Sequence, residues 1–104
     1  MTIGTHRVTM GGLEKDIHWD PEKDQWLRVH RRIGFERVAE MIERDDYLTI
    51  VDHWNAIRYP NQDVFILKID DYGYYVPFVE SESSIFLKTI IRSRKATKLY
   101  LRGG

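Results

Sequence analysis

The sequence predicts an α+β domain in which two N-terminal helices pack on a four-stranded, mostly antiparallel sheet, with a short helix at the C-terminus. Three observations carry this. Two stretches between residues 20 and 43 place apolar side chains at spacings of three and four. Four runs between residues 47 and 91 are rich in β-branched and aromatic residues. Three connections among these elements read as hairpin length, which favours antiparallel pairing.

Residues 1–16 show neither a period of 2 nor one of 3.6, and Gly4, Gly11 and Gly12 interrupt them. They read as a flexible extension that adds nothing to the fold, leaving 17–104 as the single domain. Asp20 then suits a helix N-cap, and Pro21 the first helical position, where a missing N–H costs nothing. This helix is expected to run to about Arg31, with Trp26, Leu27 and His30 on one stripe, and to end at Gly34. Phe35, Val38, Ala39 and Ile42 mark the second helix.

The expected strands are 47–51, 64–69, 74–79 and 85–91, with 53–62 a loop. Pro77 lacks a donor, so its strand needs an edge position or a bulge there. Asp70, Asp71 and Gly73 supply turn chemistry. Alternation in the last strand puts Phe86, Lys88, Ile90 and Arg92 on one face. Ser93 suits the cap of a helix ending near Gly103.

At 104 residues there is room for one core. With no cysteine, disulfide frameworks, thiolate metal sites and cysteine nucleophiles are excluded. No stretch approaches the ~18 apolar residues of a membrane span, so a cytoplasmic location is the expectation. The formal net charge is zero, which speaks against a general nucleic-acid coat protein. The distribution is uneven, however: residues 88–102 hold six basic side chains and no acidic one.

No Gly-rich phosphate loop, paired metal-ligand helix or Gly-x-Ser-x-Gly elbow is present. His6, His18, His30 and His53 lack metal-ligand spacing. No cofactor and no metal are expected. What remains is a basic cluster on and after the last strand, with His30, Arg31 and Arg32 at the end of the first helix. Such a set matches RNA cleavage, in which a 2′-OH attacks its neighbouring phosphate, a base takes the proton and fixed positive charge stabilises the phosphorane. The other reading of each run is a solvated helix end. Tyr100 reads as a proton donor, an RNA contact or a pin for the last helix. His53-Trp54-Asn55 reads equally as a ligand contact or an ordered turn.

The run Ile85-Phe86-Leu87-Lys88-Thr89-Ile90-Ile91, followed by Ser93-Arg94-Lys95-Ala96-Thr97-Lys98 and Tyr100-Leu101, resembles the C-terminal signature of BrnT-like toxins. Trp19-Asp20, Lys23, Trp26-Leu27, Ile33-Gly34-Phe35, His53, Asn55, Tyr59-Pro60-Asn61-Gln62 and Val76-Pro77-Phe78-Val79 also fit that pattern, over residues 17–101. The resemblance implies a RelE-like fold and the toxin of a type II toxin–antitoxin system, a metal-independent endoribonuclease that arrests translation. It implies an antitoxin partner with a ribbon-helix-helix part, through which alone operator DNA would be met. Carried onto this chain, the catalytic residues are His30, Arg31, Arg94 and Lys95, and the RNA contacts are Arg32, Lys88, Arg92, Lys98 and Tyr100. Two departures stand out: His30-Arg31 replaces a lysine–histidine pair seen in some relatives, and Arg92 stands where relatives carry proline. The alternative function is a non-catalytic RNA- or protein-binding module with a basic groove.

Overall fold

Asp20 and Pro21 start the first helix as their chemistry requires. In the computed structural model, which describes residues 6–101, the Asp20 carboxylate accepts a hydrogen bond from the Glu22 N–H at 3.0 Å. Helix α1 spans Pro21–His30 and α2 spans Phe35–Glu43. Asp24 of α1 also caps α2, its Oδ1 accepting from the Phe35 N–H at 2.7 Å. Gly34 permits this junction, since a Cβ there would lie 2.8–2.9 Å from the Arg28 and Asp24 side chains.

The sheet departs from the expected two helices on four antiparallel strands, the RelE-like arrangement. Among the described residues, seven strands form one curled, mixed sheet: β1 Arg7–Met10, β2 Leu13–Trp19, β3 Thr49–Asp52, β4 Gln62–Ile69, β5 Tyr72–Glu80, β6 Ser84–Leu87 and β7 Ile91–Arg92. Their order is β1-β2-β6-β5-β4-β3, with β7 also on β5. All pairs are antiparallel except β2 with β6, which run parallel from Asp16↔Ser84 to Trp19↔Leu87.

Two of these strands come from the segment expected to lie outside the fold. Gly11 and Gly12, at φ +60° and +82°, form the two-residue turn between Met10 and Leu13. Left-handed backbone at both central positions matches the twist of the strands they join. The alternation of β2 was hidden because Lys15 holds a core-side position between Leu13 and Ile17. Its buried ammonium is satisfied by the Ser81 carbonyl and, at 2.9 Å, by Glu80.

The central strands follow the expectation more closely. Asp70 and Asp71, at φ +52° and +63°, make the β4–β5 turn. Gly73 is no part of that turn. A Cβ on it would lie 2.6 Å from the Thr97 nitrogen, so its role is to let the C-terminal segment approach β5.

The core lies between α1–α2 and one sheet face. Leu27, Phe35, Val38, Ala39 and Ile42 meet Phe65, Leu67, Val76, Phe78, Ile85 and Leu87, all buried. Each such side chain stabilises the fold by roughly 1.5–3 kcal/mol relative to exposure. Trp26 and His30, expected on the stripe with Leu27, lie outside this core and are exposed. Helix α3 is only Arg94–Ala96, continued by a π-helical turn over Thr97–Leu101. The expected end near Gly103 lies outside the described residues. Among the described residues, no helix is long and apolar enough to cross a membrane.

Candidate nucleic-acid interface

At the C-terminal end of α1, Trp26 gathers three nitrogen-bearing side chains. Lys23 Nζ lies 4.8 Å and Arg31 Cζ 5.2 Å from its ring centroid, and the His30 ring stacks on it at 4.5 Å. The spacing 23, 26, 30 brings them together, because residues three and four apart share a helix face. His30 Nδ1 is 3.0 Å from the Trp26 carbonyl oxygen. A carbonyl only accepts, so Nδ1 is the donor of this bond, which places any free ring lone pair on Nε2. Arg31 reaches away from the helix and donates to the Ile90 carbonyl at 2.8 Å. Arg32 follows at φ +59°, turning the chain out of the helix.

Ile90 belongs to a bulge. Phe78 pairs with Leu87 and Tyr75 with Ile91, so three steps along β5 face four along the last strand. Lys88 N–H donates to the Pro77 carbonyl at 2.8 Å. In a strand the N–H and C=O of one residue point the same way, so the donor that Pro77 lacks is missing on the side of the bulge. The extra residue reverses the alternation: Ile90 turns into the core, and Arg92 pairs with Tyr74. Lys88 and Arg92 therefore lie on opposite faces of the sheet, contrary to the face-sharing that uninterrupted alternation predicts. Arg92 rests over the Tyr72 ring, with Cζ 3.9 Å from its centroid.

On the face away from the helices, loop 53–61 and the bulge form a cleft of about 340 Å3 lined by His53, Trp54, Arg58, Tyr59 and Lys88 among others, with no carboxylate among the described residues. His53 is buried, and its Nδ1 accepts from the Asn55 N–H at 3.0 Å. Burial pushes its pKa below the ordinary 6.5, so the ring is neutral at pH 7. It stacks on Trp54 at 4.1 Å and contacts Tyr59 at 4.6 Å. Trp54 also meets Tyr75 at 5.3 Å, yet remains 59% exposed.

A larger groove, about 660 Å3, runs beside α2. Its cations are matched by carboxylates: Arg37 by Asp70 at 3.7 Å and Arg44 by Glu40 at 3.9 Å, with Arg28 held by Asp24 at 3.2 Å. It is the less suitable seat for a phosphate.

The C-terminal residues are fixed by Ser93 and Thr97. Ser93 Oγ accepts from the Ala96 N–H at 3.0 Å, the capping role expected for it. Thr97 Oγ1 accepts from the Gly73 N–H at 2.8 Å and donates to the Ser93 carbonyl at 2.9 Å. The pin is thus Thr97; Tyr100 is 37% exposed. Arg94, Lys95 and Lys98 are exposed on the same segment. Of the residues expected to form the site, His30 and Arg31 meet at Trp26, and Arg31 ties them to the bulge that carries Lys88. Among the described residues, no hydrogen bond or ion pair joins Arg94 or Lys95 to His30.

Sequence reasoning left Trp54 open between a ligand contact and an ordered turn and did not assign Lys23, Trp26, Arg58 or Tyr59 to a site. The available signal was an aromatic and cationic run, Trp54 to Tyr59, in a loop with no core to fill. No family model, curated protein or solved structure matches this chain.

Proposed function

We propose that the chain is an RNA-cleaving toxin that acts in the cytoplasm and is restrained by a protein antitoxin. The observation that supports it best is His30, whose Nδ1 lies 3.0 Å from the Trp26 carbonyl oxygen, with Arg31 and Arg32 next to it in sequence. In this reading Nε2 takes the proton of an RNA 2′-OH as the 2′-oxygen attacks the adjacent phosphorus. The bond to the 5′-oxygen breaks, that oxygen takes a proton from water, and the product strand ends in a 2′,3′-cyclic phosphate. Arg31 and Arg32 face the charge that develops on the phosphorane, where a planar guanidinium can hold two oxygens. Arg94, Lys95, Lys98, Arg92 and Tyr100 serve the strand on either side. An acidic antitoxin would cover the exposed Phe86, Leu99 and Tyr100 and meet the neighbouring cations. The toxin class, the antitoxin and its ribbon-helix-helix part are carried by the BrnT-like resemblance alone.

The test is growth after induced expression of the intact chain, His30→Ala and Arg94→Ala at matched protein levels. Arrest by the first and relief in both variants, with 2′,3′-cyclic phosphate ends on cellular RNA, is expected. Absence of arrest by the intact chain, or products with 3′-hydroxyl ends, overturns the reading. A binding module without cleavage is favoured by one observation: the bulge puts Lys88 and Arg92 on opposite faces, so charge is spread along a path rather than focused on one phosphate. That module would bind RNA in a salt-sensitive way and leave it intact.

A further inference from the structure

We infer that the cleft between loop 53–61 and the bulge seats one unpaired ribonucleotide of an RNA strand, its base stacked on Trp54 and its phosphate held by Lys88 and Arg58. The inference rests on RNA as the ligand proposed above, but not on cleavage.

Charge is the first argument. Among the described residues, the cleft lining contains Arg58 and Lys88 and no carboxylate, unlike the groove beside α2. Both cations lie against aromatic rings, Arg58 over Tyr59 and Lys88 over Phe86, each 5.4 Å from the centroid. Their charges are available to an anion that enters. Stacking is the second. Trp54 has His53 against its ring and over half its surface in water. A large indole left exposed beside two cations is a stacking platform, and every base offers a π-face to it. A ring neutral at pH 7 beneath the indole adds no charge that would compete with Lys88 for the phosphate.

Size and shape narrow the ligand. About 340 Å3 is at the small end of ligand pockets, which run from about 300 to 1,000 Å3, and suits one nucleotide. An RNA duplex keeps its base faces stacked inside, so only an unpaired nucleotide can use the indole. The amides of Asn55 and Gln62 and the Thr89 hydroxyl line the same space and can meet a base edge as donors or acceptors. The loop is held before the ligand arrives: Asn55 Oδ1 accepts from the Arg58 N–H at 3.3 Å, and the Asn55 carbonyl accepts from the Tyr59 N–H at 2.9 Å. Less ordering is then required on binding. The wall carrying Lys88 and Ile91 includes Ile90, whose carbonyl Arg31 holds.

The experiment follows the Trp54 indole N–H by NMR, identified by its loss in Trp54→Phe. The full chain carrying His30→Ala, so that RNA stays uncut, is titrated with the four ribonucleoside 5′-monophosphates, ribose 5-phosphate, inorganic phosphate and a five-nucleotide RNA. At least one monophosphate should give a saturable shift, and ribose 5-phosphate and inorganic phosphate should bind about tenfold more weakly or worse. Loss of one base stack predicts about 5- to 150-fold weaker monophosphate binding in Trp54→Ala, followed in that variant by the backbone amides of Asn55 and Thr89 instead of the indole. Lys88→Gln, whose fold has no reason to fail, should weaken binding and reduce its salt dependence. Equal binding of bare phosphate, or no saturable shift with any monophosphate, overturns the inference. So does a monophosphate that binds where the five-nucleotide RNA does not. Binding that holds in the absence of any cleavage by the intact chain upholds the cleft and rejects only the toxin reading. Cleavage by the intact chain without monophosphate binding rejects the cleft alone.

Discussion

Arg32 holds a left-handed backbone that glycine would adopt at less cost, and it does so beside the proposed base. The strain for a non-glycine residue is of order 1–2 kcal/mol. Arg32→Gly should therefore raise the urea midpoint while weakening RNA binding, a pairing of effects that a surface residue without a binding role would not give. Gly73 is the opposite case: its backbone is unstrained, but the Thr97 nitrogen occupies the place of a Cβ. Gly73→Ala should cost about 2 kcal/mol by urea denaturation, because backbone rather than a flexible side chain must shift. His6 makes a pH-dependent clamp. Its two ring nitrogens meet Glu43 at 2.7 Å and Glu36 at 2.8 Å, so both must carry protons. Burial lowers its pKa, but the hydrogen bonds and charges of Glu43 and Glu36 reverse this and hold it above the ordinary 6.5. Glu43 is lowered from 4.5, chiefly by the His6 hydrogen bond. The histidine contribution is full below 6.5 and fades as pH rises through its higher folded value. The glutamate contribution is present above 4.5 and fades as pH falls through its lower folded value. The stability difference between the intact chain and His6→Ala should thus be greatest between these two pH values and smaller at pH 8.5; a flat difference would show that the clamp does not titrate.

At the scale of elements, the hairpin β1–β2 is the part whose removal is most informative. Val8 is buried, and His6 and Arg7 bind Glu43 on α2. Deleting residues 1–12 should cost about 3 kcal/mol, mostly from the lost apolar contact of Val8 and Met10. An unchanged urea midpoint would mean that the hairpin adds nothing. Its presence was illegible in the sequence because Lys15 interrupts the apolar alternation and because Gly11 and Gly12 look like disorder when they are turn residues. The parallel pairing of β2 with β6 joins residues almost 70 positions apart, and nothing local encodes it. The helices were legible because their signals are local: Asp20 with Pro21, then the three–four spacing from Phe35. Pro77 announced a defect in its strand, yet it could not say that the neighbour would carry the extra residue or that Arg92 would be turned from Lys88. The same division applies to the site. His30 and Arg31 were readable as one helix end, whereas the cleft draws on residues 53–62 and 88–91 and exists only once the sheet has formed.

Over the whole molecule, zero net charge hides two different surfaces. Beside α2, arginines are matched by carboxylates and present little field; at the cleft and the end of α1, Arg31, Arg32, Arg58 and Lys88 lie outside any ion pair among the described residues. If RNA follows the second surface, three or four phosphates are neutralised, and each releases about 0.7 of a counterion from a single strand. The affinity of His30→Ala for a five-nucleotide RNA should then fall with salt at a log–log slope of about −2 to −3 between 50 and 300 mM. Lys88→Gln should reduce that slope by about 0.7. Arg37→Gln, which removes a cation already facing Asp70, should leave it unchanged. Fluorescence polarisation of labelled RNA measures all three. A slope that Arg37→Gln reduces as much as Lys88→Gln would move the RNA to the groove beside α2, because internally paired cations would then be giving up their carboxylates for phosphate. A slope near zero in the intact surface would mean that stacking, not phosphate contact, carries the affinity, and the cations would be left as a meeting place for an acidic protein partner.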